Sequence, residues 1–151
     1  MKYYCIGIKG SGMATLACLL KDLGHEVVGY DDAKEFKFTE VGLAKREIPI
    51  FYDTNHPIDP DTIVTYSKAF QKDHPEIQRV HSLGLKVQEY NEVVGDITKM
   101  FRTISVCGTH GKTTTTTMVH TILDRTVGCN CFIGDGTGTV SYTHLTLTTI
   151  L

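Results

Sequence analysis

The stretch Tyr3-Tyr4-Cys5-Ile6-Gly7-Ile8-Lys9-Gly10-Ser11-Gly12-Met13 decides how this chain is read. Tyr3 to Ile8 has the aromatic and β-branched composition of a strand. Gly7, Gly10 and Gly12 then break the run. Apolar residues resume at Met13, Leu16, Ala17, Leu20 and Leu23, the spacing of a helix with one buried face, and Gly24 is a natural stop for it. Strand, glycine loop and helix in this order are the opening of a parallel α/β unit.

The alternation continues outward from that opening. Val27–Tyr30 reads as a second strand ending at Asp31-Asp32, and Phe36–Arg46 as a helix leading to a short strand over Ile48–Phe51. Asp61 precedes a strand over Thr62–Tyr66. Pro75 opens a helix to Leu83, Lys86–Glu89 forms the next strand, and Glu92–Met100 the next helix. Strands alternating with helices at this spacing predict an α/β fold with a parallel sheet. The same order starts again at Thr103: a strand to Cys107, a tight loop Gly108-Thr109-His110-Gly111, and a helix over Lys112–Arg125. A domain boundary is therefore placed near Phe101-Arg102, giving one domain over 1–102 and a second over 103–140. That second domain is expected to be incomplete, since a parallel α/β domain needs more than about 100 residues. The threonine-rich Ser141–Leu151 carries neither charge nor turn signal, and is read as a stretch foreign to the fold.

Composition narrows the function classes. The 151 residues are 41% hydrophobic, enough to bury a core, and the net charge of −2 offers no basic surface for nucleic acid or membrane. No apolar run is long enough for a signal segment or a span, so the expectation is a cytoplasmic protein. The five cysteines show no C-x-x-C and no disulfide framework, and are read as reduced and structural.

The two glycine loops carry the chemistry. The first invites a dinucleotide reading, but its glycines run G-x-x-G-x-G; the dinucleotide pattern counted from Gly10 would need Gly or Ala at Thr15. The physical logic survives the mismatch. Glycines let the backbone approach a diphosphate, and a helix N-terminus supplies free N–H groups and the positive end of its dipole. Lys9 is expected to add a full charge to that loop, and Asp31 to reach a ribose hydroxyl. The second loop carries Gly111-Lys112-Thr113, the core of a phosphate-binding loop, with Val106 where the full motif has its first glycine. Backbone N–H groups would cradle the β-phosphate, Lys112 would reach the β/γ oxygens, and the Thr113 hydroxyl would ligate Mg2+.

GIKGSGM at Gly7–Met13 followed by GTHGKTTT from Gly108 resembles the Mur ligases. Within them it is most similar to those that join L-alanine to UDP-N-acetylmuramate. Val28-Gly29-Tyr30-Asp31, Tyr66-Ser67-Lys68-Ala69-Phe70, Asp73-His74-Pro75-Glu76 and Phe132-Ile133-Gly134 resemble further family segments. The resemblance implies a Rossmann-like UDP-sugar-binding domain followed by the start of a P-loop ATPase domain, with ATP and Mg2+ as cofactors in bacterial peptidoglycan precursor synthesis. UDP-sugar contacts are implied at Gly7, Lys9, Gly10, Ser11, Gly12, Met13, Asp31, Ser67 and Ala69. ATP contacts are implied at Gly108, Thr109, His110, Gly111, Lys112, Thr113 and Thr114, with Lys112 and Thr113 acting in catalysis. The family's metal-binding glutamate, later histidine and amino-acid-binding domain have no counterpart here, so the chain is expected to bind nucleotide without completing ligation. Two rivals remain open: the related ligase that attaches a recycled tripeptide to the same UDP-sugar, and a dinucleotide-dependent oxidoreductase or nucleotide-sensing module.

Overall fold

The computed structural model describes residues 1–133 and the strand at 148–150. Five strands form one sheet: β1 (Lys2–Ile6), β2 (Glu26–Tyr30), β3 (Ile50–Phe51), β4 (Thr62–Tyr66) and β5 (Lys86–Glu89). Their order is β3-β2-β1-β4-β5, and every pairing is parallel. The connecting helices are α1 (Ser11–Asp22), α2 (Glu40–Lys45), α3 (Pro75–Ser82) and α4 (Tyr90–Thr98).

β1 lies at the centre, and its side chains alternate between two cores as a pleated strand requires. Tyr3 and Cys5 join Met13, Leu16, Leu20, Leu43, Val93 and Ile97, the core beneath α1, α2 and α4. Tyr4 and Ile6 join Tyr30, Val64, Ile77 and Val80, the core beneath α3. Within the second core Glu76 is fully buried, and its Oε1 accepts from the Tyr4 hydroxyl at 2.7 Å and from Arg79 at 2.9 Å. Burial of the phenol, with that hydrogen bond second, pushes the Tyr4 hydroxyl far above the ordinary tyrosine range.

Three expectations are corrected. α1 was read as a helix with one buried face, yet Met13 through Leu20 are all buried. The sheet covers one side, while Leu43 of α2, Val93 and Ile97 of α4, and Phe132 cover the others. The helix expected over Phe36–Arg46 shrinks to Glu40–Lys45. Ahead of it Ala33 O and Glu35 O accept from the Lys9 ammonium and the Thr39 hydroxyl donates to Lys9 O, which ties 33–39 to the first glycine loop, with Phe36 and Phe38 exposed. α4 begins two residues before the expected Glu92, because Glu92 occupies the third helical position and its carboxylate accepts from Glu89 N at 2.7 Å.

The second start builds a smaller parallel sheet, β6 (Arg102–Ile104), β8 (Thr148–Ile150) and β7 (Asn130–Cys131), in the order β6-β8-β7. α5 (Lys112–Asp124) follows β6. The expected strand Thr103–Cys107 is observed as Arg102–Ile104, which pairs with Thr148–Ile150. The segment read as foreign to the fold therefore supplies the central strand of this sheet. The glycines expected after Ile133 lie outside the described residues.

Gly29 has a sharper requirement than its sequence context shows. A Cβ there would stand 2.2 Å from Ile8 Cδ1 and 2.7 Å from Ile8 Cβ, against the start of the glycine loop. Gly29→Ala should therefore cost about 1–3 kcal/mol through overpacking. Urea unfolding checks this; a midpoint equal to that of the parent chain would show that Ile8 yields freely.

Candidate functional site

Open α/β sheets bind ligands beyond the carboxyl ends of the strands, where the strand order reverses. Here the reversal falls between β1 and β4, and the crevice is open: a cavity of about 400 Å³ lies there. Gly10, Ser11, Gly12 and Met13 line it from the β1–α1 loop, Ser67 and Lys68 from the end of β4, and Tyr90 and Asn91 from the start of α4.

The loop is shaped by contacts on both sides. Gly7 sits at φ +77°, and a Cβ there would lie 2.7 Å from the Phe70 ring and 3.0 Å from Ser67 Cβ. A Cβ at Gly12 would stand 3.2 Å from the Tyr90 hydroxyl. Gly10 caps α1, and the first intrahelical bond runs from Ala14 N to Gly10 O at 2.8 Å. The N–H groups of Ser11, Gly12 and Met13 thus precede the helical ladder and stand at the positive end of the dipole. Burial pushes the Tyr90 hydroxyl above its ordinary range, so it faces the crevice as a neutral donor or acceptor.

Of the residues expected at this loop, the structure gathers Gly10, Ser11, Gly12, Met13 and Ser67 around the cavity. Gly7 is buried behind it. Ala69 lines a different, open depression of about 430 Å³ with Asp32, Phe70, Gln71, Asp73, His74 and Pro75. Lys9 and Asp31 are corrections. The Lys9 ammonium is turned inward and is 1% exposed; it pairs with Glu40 at 2.9 Å and lies 4.6 Å from the centre of the Tyr52 ring. Asp31 is buried, and its two carboxylate oxygens accept from Lys9 N at 2.9 Å and Ala33 N at 3.0 Å. Both residues fasten the loops after β1 and β2 to each other, and neither lines the cavity. Lys68, Tyr90 and Asn91 escaped the sequence reading. Tyr90 and Asn91 would have been found had Glu92 been read as the third residue of α4, which places them at the carboxyl end of β5.

The second loop runs from β6 into α5. Gly111 adopts φ +75°, which favours glycine, and Lys112 curls back to donate to Gly108 O at 2.7 Å and Thr109 O at 3.3 Å. The first intrahelical bond, Thr115 N to Gly111 O at 2.9 Å, leaves the N–H groups of Lys112, Thr113 and Thr114 ahead of the ladder. The threonine run divides in two. The hydroxyls of Thr116, Thr117 and Thr121 bond back to carbonyls four residues earlier. Those of Thr113 and Thr114 make no such bond among the described residues and are exposed. Gly108, Thr109 and His110 are exposed beside them. An ammonium, three free N–H groups and a free hydroxyl form a donor set that fits a nucleotide phosphate with its Mg2+. Among the described residues no group of three or more His, Cys, Asp or Glu is placed to hold a metal. All five cysteines are free thiols.

A parallel sheet in the order 3-2-1-4-5, with a glycine loop opening its first crossover, defines a Rossmann-like α/β protein. The family model for the Mur ligase family, catalytic domain, matches residues 2–102. The chain belongs to the Mur ligase family. It is 43% identical over 136 residues to a UDP-N-acetylmuramate--L-alanine ligase of Limosilactobacillus reuteri, covering 90% of this chain and 31% of that protein. Among crystal structures, the UDP-N-acetylmuramate-alanine ligase MurC of Thermotoga maritima superposes with a TM-score of 0.79 at 32% identity, covering 89% of this chain and 32% of that one. A murein peptide ligase of Psychrobacter arcticus shares the fold at a TM-score of 0.82 and 24% identity, covering 99% of this chain and 37% of that one. The chain thus spans about a third of the length of these relatives.

The buried Lys9–Glu40 pair yields a prediction that departs from a phosphate-binding role. Burial disfavours the Lys9 charge, but hydrogen bonds to Tyr52 and Glu40 and the Glu40 charge outweigh it and hold the ammonium above its ordinary value. Burial likewise opposes ionisation of Glu40, and the Lys37 backbone N–H with the Lys9 ammonium outweighs it, so that carboxyl is held below its ordinary value. Lys9→Met should therefore cost about 2–3 kcal/mol near pH 7, less than a fully buried pair because Glu40 is partly exposed. A depressed carboxyl stabilises the fold above its unfolded value near 4.3 and loses that contribution as pH falls through its folded value. The stability gap between Lys9→Met and the parent chain should accordingly narrow below about pH 4. Denaturant titrations at several pH values measure it, and a gap under about 0.5 kcal/mol at pH 7 would remove Lys9 from the framework.

Proposed function

We propose that this chain supplies the UDP-sugar and ATP-binding portions of a ligase that joins L-alanine to UDP-N-acetylmuramate in the bacterial cytoplasm. The observation that carries the reading is the presence, in one chain, of two open helix N-termini behind glycine loops. One faces a crevice at the strand-order reversal, and the other carries a lysine ready for a nucleotide phosphate. On this reading residues 1–102 bind the UDP-sugar, and residues from 103 onward belong to the ATP-binding domain.

The chemistry follows from the two sites together. The γ-phosphoryl group of ATP passes to the muramyl carboxylate, giving an acyl phosphate and ADP. The amine of alanine attacks the acyl carbon, and the tetrahedral intermediate expels phosphate to leave the amide. Lys112 places its positive charge on the β/γ oxygens, where negative charge shifts during transfer, and the free N–H groups of α5 hold the phosphates in line. Mg2+ bound beside Thr113 would neutralise further charge on the same oxygens. At the first site, the N–H groups of Ser11, Gly12 and Met13 receive the diphosphate of the sugar nucleotide.

A second reading, attachment of a recycled tripeptide to the same UDP-sugar, draws on the fold shared with the murein peptide ligase. The alanine reading is favoured by the higher identity to ligases of that specificity.

Calorimetry separates these ideas from a dinucleotide-binding function. UDP-N-acetylmuramate should bind more tightly than NAD, and Lys112→Ala should weaken ATP binding about tenfold or more while leaving the UDP-sugar affinity unchanged. Tighter binding of NAD, or ATP affinity indifferent to Lys112, would remove the basis of the ligase reading.

A further inference from the structure

With Lys9 locked inside the fold, the cavity at the α1 N-terminus needs another source of full positive charge to hold a diphosphate. We propose that Lys68 is that source, a specificity-determining residue that selects a nucleoside diphosphate ester over uncharged ligands. The inference rests on the reading of this cavity as the UDP-sugar site.

Three observations place Lys68 there. First, its backbone is fixed relative to the glycine loop. Ser67 N donates to Ile6 O at 3.0 Å, tying the end of β4 to the end of β1, and Phe70 N donates to Ser67 O at 2.9 Å, closing a turn with Lys68 in its second position. The Phe70 ring packs against Gly7, so this turn and the glycine loop hold one another in place. Second, Lys68 lines the same cavity as Ser11, Gly12 and Met13 at the N-terminus of α1, and among the described residues it is the single charged side chain of that lining. Third, its ammonium is uncommitted. Where Lys9 has Glu40 and two carbonyls, and Lys112 has two loop carbonyls, Lys68 has no ion pair or hydrogen bond among the described residues.

The charges explain why such a cation is needed. A diphosphate diester carries two negative charges, whereas a helix N-terminus offers only about half a unit of positive charge. An ammonium on a four-carbon stem can close onto either phosphate from the wall opposite α1. Lys68 also lines an adjoining groove of about 380 Å³ with Tyr66, Phe70, Lys72, Glu89 and Tyr90. The Glu89 carboxylate lines that groove as well, so it is not purely cationic. The first cavity is the one suited to phosphate.

The test measures UDP-N-acetylmuramate affinity by calorimetry for the parent chain, Lys68→Met, Lys68→Arg and Lys72→Met at low and high salt. Lys68→Met should bind about tenfold more weakly or worse at low salt, with its thermal midpoint unchanged. The loss should shrink at high salt, because the contribution is Coulombic and solvent-accessible. Lys68→Arg should recover most of the affinity, and Lys72→Met should keep it. Unchanged affinity in Lys68→Met, an equal loss at both salt concentrations, or a loss confined to Lys72→Met would each overturn the role assigned to Lys68. Failure of the parent chain to bind UDP-N-acetylmuramate would overturn the reading of the cavity and, with it, this role.

Discussion

The buried ammonium of Lys9 joins three parts of the chain that are distant in sequence. It reaches Ala33 O, Glu35 O and Glu40 from the loop after β1, while its own backbone N–H donates to Asp31 at the end of β2. Thr39 adds a hydroxyl bond to Lys9 O at 2.9 Å. A charge this deep is tolerable only with every donor engaged, and that requirement fixes the segment 33–40 against the glycine loop. With the loop held from behind, the N–H groups of Ser11, Gly12 and Met13 have one direction left to face, toward the crevice between β1 and β4. The free end of α1 is thereby preorganised, and ligand binding need not order it.

The two glycine loops share a plan and differ in how each uses its lysine. Lys9 precedes the last two glycines of its loop and sits under the chain, where it is consumed by structure. Lys112 follows Gly111 as the first residue of α5, and its ammonium returns over the mouth of its own loop. Carbonyls at 2.7 and 3.3 Å are weak competitors for a nucleotide phosphate, because a charge-assisted bond to phosphate is the stronger partner. One lysine therefore sets the shape of a site, and the other is available to a ligand. Among the described residues α5 buries only Thr116, with Met118 and Ile122 exposed on it, whereas α1 buries eight consecutive residues.

Much of this was legible before any coordinates. The β1–α1 unit, the strands Thr62–Tyr66 and Lys86–Glu89, and the helices at Pro75 and Lys112 follow from periodicity, proline and glycine placement, signals that act within a few residues. So do the glycines and first helical residues of both loops, since a turn followed by a helix N-terminus is a local feature. The misreadings have a different character. The helix over Phe36–Arg46 is shorter than its local pattern suggests, and the segment ahead of it is tied to Lys9, more than twenty residues away. The segment 141–151 showed no pattern of its own, yet Thr148–Ile150 gains a place by pairing with β6 and β7.

The sequence by itself determined that two strand–loop–helix units exist, that glycine lies where the backbone must turn tightly, and that each loop ends at a helix N-terminus. Tertiary structure alone decided which charged side chains belong to the framework and which face the cavity. Lys9 and Lys68 are both lysines beside glycine-rich or turn segments, and nothing within a few residues of either tells them apart. The difference is whether a carboxylate and open carbonyls from another part of the chain come within reach. For Lys9 they do, through Glu40 and the turn at 33–39; Lys68 makes no ion pair or hydrogen bond among the described residues and lines the cavity at the N-terminus of α1. Burial and pairing depend on contacts between distant segments, and a side chain's charge finds its use only once those contacts are made.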